Sequence, residues 1–334
     1  MVFGTLQEKI GKYALSLGRP KPPRHLSLNF RDIDEPSCNR LKQSLMRNFF
    51  KTRAVSEEYL STAACQSDLS EHAHGRLVYY RVFIIPWLDH FKAVNKASIL
   101  EIGCGTGALT VALAEQGADV TAIDVDKNSL IVAKERCEIY GLEAKFIEAN
   151  AAEVKALLRA AHFDCIIFPA SLEHMTHEER LIAMRDTWNM LQKDDFWCIL
   201  SAPNRLWYYD SYTSSLPFFL WLPDDLALKY LQFSPRTELS QSYRGSNDTS
   251  MSDFLRLGRG VSFHEFELAI APIKELNIVS DLSSYRRKRN VFYWLHWKMN
   301  DARYSSFLSK VHPAASNGFN ERTLNIIIKK DETN

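Results

Sequence analysis

The sequence has few of the features that mark several protein classes. No apolar run approaches the ~18 residues that span a bilayer, and the N-terminus lacks the apolar core and cleavage site of a secretory signal. Six cysteines show no CxxC spacing, which argues against a zinc ribbon or a disulfide framework. Only 12 prolines occur in 334 residues, of which 46% are hydrophobic, so disordered and collagen-like classes are excluded. We therefore expect a folded, cytoplasmic protein with reduced thiols.

The chain also has no large excess of charge of one sign, because its formal net charge is +1. The charges are unevenly spread, however, with an acidic stretch over residues 98–203 between two basic ends. A nucleic-acid groove would have to avoid the acidic third of the chain. This pattern argues against a nucleic-acid partner.

The first 95 residues predict a helical lead-in. Within residues 1–18, apolar side chains recur at helical spacing before the break at Pro20. Such an amphipathic helix most often covers a core, and the alternative is peripheral contact with a membrane surface. Residues 36–64 and 69–93 also have helical patterns.

From Ala97 onward, short apolar strands alternate with helices of 10–16 residues, which predicts an α/β fold with a parallel sheet covered on both faces. We assign residues 96–334 to this domain, with further strands at 277–284 and 324–330. Residues 205–260 interrupt the alternation as an aromatic-rich insertion after the fifth strand. We expect this insertion to be too short for a core of its own and to cover a binding site.

A glycine-rich turn, LEIGCGTG at residues 100–107, follows the first strand. Glycines there allow positive φ and close approach of a ligand to backbone N–H groups. A bare GxGxG is a weak signal, but Glu101 precedes it and Asp124 ends the second strand, where a carboxylate can accept hydrogen bonds from two ribose hydroxyls.

Two cofactor classes fit such a turn. A nicotinamide dinucleotide prefers GxGxxG, whereas here the third glycine, Gly107, comes one residue early. Glu101 would repel a pyrophosphate but suits a ligand that carries an ammonium and a sulfonium. The residues therefore favour S-adenosylmethionine.

Residues 97–204 resemble the class I methyltransferases that use S-adenosylmethionine, through LEIGCGTG, AIDVD, FIEANA, FDCIIFPASLEHM and LQKDDFWCILSAPN. The resemblance implies a Rossmann-like sheet of order 3-2-1-4-5-7-6 with the last strand antiparallel. It also implies a set of cofactor contacts: Glu101, Gly103, Cys104 and Gly105 near the methionine moiety, Asp124 on the ribose, and Val125, Asn150 and Ala151 around the adenine. Asn150 departs from the aspartate that is usual in this family, but its carbonyl oxygen can accept the same hydrogen bond.

The string SLEHM, at residues 171–175, resembles the ubiquinone-biosynthesis O-methyltransferases. In those enzymes a glutamate completes a metal site where this chain has Ala170, so we predict no metal. Glu173 is a candidate for steering a nucleophile and His174 for taking its proton. Equally, both residues could cap the helix that follows.

Two further groups of residues are candidate contacts. Lead-in helices commonly close over the cofactor in this fold, which makes Arg76 a candidate for the methionine carboxylate and Tyr80 for the sulfonium face. After the fifth strand, Asn204, Tyr208 and Tyr209 are candidates for a lid over the substrate, and core packing is the alternative for these aromatics.

The function favoured by the sequence is methyl transfer from S-adenosylmethionine to a small-molecule acceptor, either an apolar or aromatic metabolite or a lipid-linked intermediate. One alternative is an RNA or protein methyltransferase, suggested by the basic run Arg286–Arg289 beside aromatic residues. A second alternative is a non-catalytic scaffold that binds S-adenosylmethionine.

Overall fold

The computed structural model describes residues 29–53, 57–236, 239–240, 251–289, 299–313 and 315–331. The amphipathic helix predicted within residues 1–18 lies outside these ranges, as do the aromatic residues that follow Arg289. In the part of the chain that is described, no helix combines the length and the apolar character needed to cross a bilayer.

Seven strands form a mixed sheet in the order β3-β2-β1-β4-β5-β7-β6. The strands are β1 Ser98–Ile102, β2 Asp119–Asp124, β3 Lys145–Glu148, β4 Cys165–Pro169, β5 Phe196–Pro203, β6 Asn277–Asp281 and β7 Thr323–Lys329. β7 runs antiparallel to β5 and to β6, whereas β1, β2 and β3 are mutually parallel. The predicted fold class and strand order are confirmed.

The chain divides into two compact units. Unit 1 comprises residues 1–150, 162–166 and 284–297, and unit 2 comprises residues 151–161, 167–283 and 298–334.

In unit 1, helices precede the first strand. They are α1 Glu35–Leu45, α2 Lys51–Arg53, α3 Glu57–Leu60, α4 Ala63–Ser70, α5 Arg76–Tyr79 and α6 Ile85–Phe91. Asp34 and Thr62 begin α1 and α4 by accepting hydrogen bonds from backbone N–H groups of the first turn. Short π-helical turns occur at Met46–Phe50, Glu71–Gly75 and Tyr80–Ile84.

The rest of unit 1 surrounds β1 and β2. Helix α7, Ala108–Ala114, is apolar on nearly every side and is therefore buried. Helix α8, Lys127–Ile139, begins at Asp126, whose carboxylate accepts hydrogen bonds from two backbone N–H groups of the first turn. These two helices follow the ends of the strands that carry the glycine-rich turn and Asp124.

A buried ion pair ties the lead-in to the end of α7. Arg81 donates from Nε and a terminal nitrogen to both oxygens of Glu115, at 2.7 and 2.6 Å. Both side chains are almost fully buried. Removing one partner of such a pair costs roughly 3–5 kcal/mol because the other charge is left buried and alone.

Unit 2 is built on β5 and β7, whose central residues are fully buried. Its helices are α9 Val154–Leu157, α10 His177–Met190, α11 Asp224–Tyr230, α12 Met251–Arg256, α13 Phe263–Ala269 and α15 Met299–Val311. α14, Leu282–Arg289, belongs largely to unit 1. α10 starts with a capping box between Thr176 and Glu179, which fixes the chain just after β4.

The insertion after β5 has a hydrophobic cluster of its own, formed by Leu216, Phe219, Leu220, Ala227, Leu231 and Phe254. Arg259 stabilises the cluster by donating to the carbonyl oxygens of Phe219 and Leu222. The expectation that residues 205–260 lack a core of their own is therefore wrong. The cluster forms because apolar side chains of the segment are buried against one another, and the Arg259 guanidinium pairs two of its backbone carbonyls.

Candidate functional site

The glycine-rich turn of unit 1 follows β1. Gly105 has φ +52° and Gly107 has φ +76°, conformations that favour glycine. A Cβ on Gly107 would lie 2.9 Å from the backbone and side chain of Ala133 in α8, whereas a Cβ on Gly105 would meet no atom within 4 Å. Gly107 is therefore required for packing, and the backbone at Gly105 faces open space that a ligand can enter.

Asp124 holds this turn in place. One carboxylate oxygen accepts from the Gly105 N–H at 2.7 Å, and the other accepts from the Asp126 N–H at 2.8 Å. Burial raises the pKa of Asp124, and the two backbone hydrogen bonds oppose that rise. Each oxygen keeps a second lone pair, so the carboxylate can also accept hydrogen bonds from ligand hydroxyls.

Glu101 lies in β1 with no exposed surface. Oε2 accepts from the Thr110 hydroxyl at 2.6 Å, and Oε1 has no hydrogen-bond partner among the described residues. Burial raises the pKa of Glu101 to about 8 despite the Thr110 hydrogen bond. A buried carboxyl oxygen without a partner is costly, so this position favours a ligand that supplies a cation or a donor.

The other cofactor candidates near these strands differ in exposure. Val125, directly after β2, is 63% exposed, as expected of a side chain that could cover an adenine ring. Asn150 is half-buried after β3, and Ala151 is buried at the start of a short 3₁₀ turn in unit 2. Cys104 is buried, and burial raises the pKa of its thiol well above the usual value, which argues against a nucleophilic role.

The lead-in places cationic groups around His72, which lies in the π-turn Glu71–Gly75. His72 packs against Phe49 and Phe50, and its Nδ1 has no hydrogen-bond partner among the described residues. Burial, followed by the charges of Arg76, Arg136 and Arg53, lowers the pKa of His72 to about 2.

Of the two lead-in residues that the sequence suggests, Arg76 is exposed and forms no ion pair with another described residue, so its charge is available to an anionic ligand. Tyr80 is half-buried, with its ring centroid 5.7 Å from that of Tyr79. Arg53, which sequence reasoning missed, forms an ion pair with Asp126 and lies over the Phe49 ring. Nothing local marks Arg53, because its partner is 73 residues away.

Arg136 of α8 is a second residue that sequence reasoning missed. Its guanidinium is fully buried and donates to the carbonyl oxygens of Thr106 in the turn at 2.7 Å, and of His72 and Ala73 in the lead-in at 2.7 and 3.4 Å. Burial lowers its pKa to about 10. The glycine-rich turn and the lead-in are thus fixed to each other through one side chain.

In unit 2, Glu173 and His174 lie in the 3₁₀ turn Leu172–His174 after β4. Glu173 is buried, Oε2 has no hydrogen-bond partner among the described residues, and burial raises its pKa. His174 is exposed, and its Nδ1 lies 2.9 Å from the carbonyl oxygen of Arg256. Because a carbonyl only accepts, Nδ1 is assigned as the donor, which leaves Nε2 of the neutral ring as a base.

Arg180 of α10 fixes this turn. Its buried guanidinium donates to the carbonyl oxygen of Leu172 at 2.8 Å and to the Glu265 carboxylate at 3.0 Å. It also donates to the carbonyls of Arg259 and Gly260. Ala170, just before the turn, has φ +46°, a conformation that is strained for a residue with a Cβ.

The three candidate lid residues of unit 2 have different surroundings. Asn204 is buried, and its side-chain amide bonds the backbone of Phe319, Glu321 and Leu206, which is a structural role. The Tyr208 ring packs against Trp207 and Tyr304. Tyr209 is 37% exposed, and its hydroxyl donates to a backbone carbonyl within the insertion.

Part of this chain is similar to known proteins. Residues 99–194 match a family described as a methyltransferase domain. A ubiquinone biosynthesis O-methyltransferase of Azoarcus sp. (strain BH72) is 30% identical over 98 residues, which are 29% of this chain and 42% of that protein. Residues 99–194 therefore form a methyltransferase domain.

Another ubiquinone biosynthesis O-methyltransferase, from Rickettsia felis, is 24% identical over 196 residues, which are 53% of this chain and 79% of that protein. The Azoarcus relative and one from Paraburkholderia phymatum are matched over half of their length or less. Among solved structures, magnesium protoporphyrin IX methyltransferase from Synechocystis PCC 6803 with bound SAM has a TM-score of 0.36 at 16% identity, covering 54% of this chain and 82% of that one.

The predicted resemblance to methyltransferases is confirmed over residues 99–194. The matched residues contain the glycine-rich turn, Asp124 and the turn with Glu173 and His174. They end before β5, so the lead-in and the insertion lie outside the match.

Proposed function

We propose that this chain is a methyltransferase that transfers the methyl group of S-adenosylmethionine to a small-molecule acceptor, an apolar or aromatic metabolite or a lipid-linked intermediate. The observation that carries the proposal is the Oε1 atom of Glu101, a buried carboxyl oxygen without a partner beside an open glycine-rich turn. An ammonium group stabilises the ionised form of this carboxyl, and that form repels a pyrophosphate.

The residues of unit 1 fit the remaining parts of this cofactor. In the proposal, Asp124 accepts hydrogen bonds from the ribose hydroxyls, and Val125 and Asn150 contact the adenine. Arg76 pairs with the methionine carboxylate, and Tyr80 contacts the sulfonium face. When bound, S-adenosylmethionine supplies a methyl group that its sulfonium already activates.

On the acceptor side, the chain has to orient a nucleophile and remove a proton when the acceptor is a hydroxyl, a thiol or an ammonium. In the proposal, Nε2 of His174 takes this proton and Glu173 steers the acceptor. The aromatic residues Tyr208 and Tyr209 of the insertion exclude water from the transfer.

Unbound, Glu101 is largely protonated at pH 7 because burial raises its pKa to about 8.

A calorimetric titration of the whole chain tests the cofactor. We expect micromolar binding of S-adenosylmethionine and no binding of NAD. Because an ammonium favours the ionised form of Glu101, binding at pH 7 should release a proton, seen as a dependence of the heat on the ionisation enthalpy of the buffer. A preference for NAD would contradict the proposal.

Asp124→Asn provides the matched variant, and Asp119→Asn, at the exposed start of the same strand, is its control. The first change removes a charged acceptor, so affinity for S-adenosylmethionine should fall about tenfold to a hundredfold, while the control should bind as wild type does.

Incubation with methyl-labelled cofactor and separate small-molecule, RNA and protein fractions then tests the acceptor class. Label confined to RNA or protein would contradict a small-molecule acceptor.

A further inference from the structure

Unit 2 contains a cavity of about 600 Å³ that the proposed methyl transfer does not use. Volumes of ~300–1,000 Å³ are typical of small-molecule sites. Its apolar and aromatic walls come from Leu181, Leu206, Trp221, Leu268, Tyr304 and Leu308. These residues belong to α10, α13, α15 and the insertion, so four parts of the unit converge on one apolar space.

The mouth of the cavity exposes large apolar side chains. Leu268 of α13 is 68% exposed, and Trp221 of the insertion is 46% exposed. Exposed apolar surface that continues into a cavity indicates a site for an apolar ligand, because covering both surfaces removes them from water together.

The charged and polar residues of the wall are paired, with one exception. Glu265 accepts from Arg180 and from both the backbone N–H and the hydroxyl of Ser262. Nε2 of His177 lies 2.9 Å from the Asp224 carboxylate. By contrast, the half-buried guanidinium of Arg205 forms no hydrogen bond or ion pair with another described residue.

Arg205 also lies close enough to two buried arginines to affect them. Burial lowers the pKa of Arg180 and of Arg259, and the charge of Arg205 lowers both further. An anion beside Arg205 would offset this repulsion and satisfy donors that have no partner among the described residues.

We propose that the cavity binds an anionic amphiphile, with its apolar body against the leucines and Trp221 and its carboxylate or phosphate monoester on Arg205. This site is independent of the methyl-transfer proposal, because it needs neither the cofactor nor the residues of unit 1. The occupant is a single small molecule, since the volume of about 600 Å³ is typical of small-molecule sites.

Calorimetric titration of the whole chain without cofactor tests the site, using octanoate and octyl phosphate below their micelle concentrations and octan-1-ol below its solubility limit. We expect saturable binding of one anion per chain, and the tighter anion identifies the head group. Arg205→Gln should weaken anion binding about tenfold to a hundredfold, because charge-assisted hydrogen bonds are lost. Octan-1-ol should bind the variant and the wild type alike.

Three further variants are controls for the position of the arginine, for its charge and for the entrance of the cavity. Arg185→Gln removes an exposed arginine of α10 and should leave all three affinities unchanged. Arg205→Lys keeps the charge and should lose less affinity than Arg205→Gln. Leu268→Trp narrows the mouth at an exposed position and should weaken all three ligands.

The proposal is overturned if Arg205→Gln binds octanoate and octyl phosphate as tightly as wild type, or if neither anion binds saturably. Binding only to vesicles of anionic phospholipid, with no binding of the monomeric anions, would instead indicate a membrane surface and also overturn it. None of these results bears on binding of S-adenosylmethionine, so this proposal and the methyl-transfer proposal fail separately.

Discussion

Arg136 donates from Nε to the carbonyl oxygen of Thr106 at 2.7 Å, although the two residues are 30 positions apart. The same guanidinium bonds the carbonyl of His72 in the lead-in. Among the described residues, the hydrogen-bond partners of this buried cation are carbonyl oxygens, which fix backbone position without neutralising the charge. Arg136 therefore acts as a positioning residue for the glycine-rich turn.

Replacing Arg136 with Met should leave the carbonyls of Thr106, His72 and Ala73 without these donors. Each unsatisfied buried acceptor costs about 1–3 kcal/mol, so we expect the free energy of unfolding to fall by about 3 kcal/mol or more in chemical denaturation. Lys134→Met, at an exposed position of the same helix, should change it by less than about 0.5 kcal/mol. Equal stability of Arg136→Met and wild type would show that the three hydrogen bonds do not hold the turn.

Substitutions at two glycines of the turn should have different effects: one mainly lowers the stability of the fold, and the other mainly weakens cofactor binding. Gly107→Ala places a Cβ 2.9 Å from the Ala133 backbone at a strained φ, so it should destabilise the fold by several kcal/mol. Gly105→Ala meets no atom, so strain alone should cost about 1–2 kcal/mol. The new methyl group enters the open side of the turn, however, and should weaken S-adenosylmethionine binding at least about tenfold. Wild-type affinity in folded Gly105→Ala would mean that the cofactor does not approach this backbone.

Stability should depend on pH through Glu101. Its pKa is about 8 in the folded protein and near 4.5 when unfolded. The folded state binds more protons between these values, so this contribution to the free energy of unfolding falls as pH rises from about 4.5 to about 8. Glu101→Gln removes the titration and retains an acceptor for Thr110. We expect the stability of the variant minus that of wild type to increase across this window, and a flat difference would contradict the assignment.

His174→Gln tests the proposed base. Glutamine can still donate to the Arg256 carbonyl, so the turn should keep its structure and bind S-adenosylmethionine within about twofold of wild type. With a hydroxyl acceptor, kcat should fall about 10²-fold or more. His162→Gln, at an exposed position in unit 1, is the control. An unchanged kcat would leave His174 with only the loop-orienting role.

The sequence by itself determined the class of the sheet and its ligand chemistry. Apolar strands alternating with helices force parallel pairing, and Gly105, Glu101 and Asp124 sit at fixed distances from strand ends, so local pattern was enough to place them. Only the tertiary structure decided which side chains are held in place by distant partners. Arg53, Arg136 and Arg180 bond groups remote in the sequence, and Arg259 bonds the carbonyl of Phe219 within the hydrophobic cluster of the insertion. The cavity beside Arg205 is also a result of the tertiary structure. Its walls come from segments far apart along the chain, so no local sequence pattern predicts that they meet.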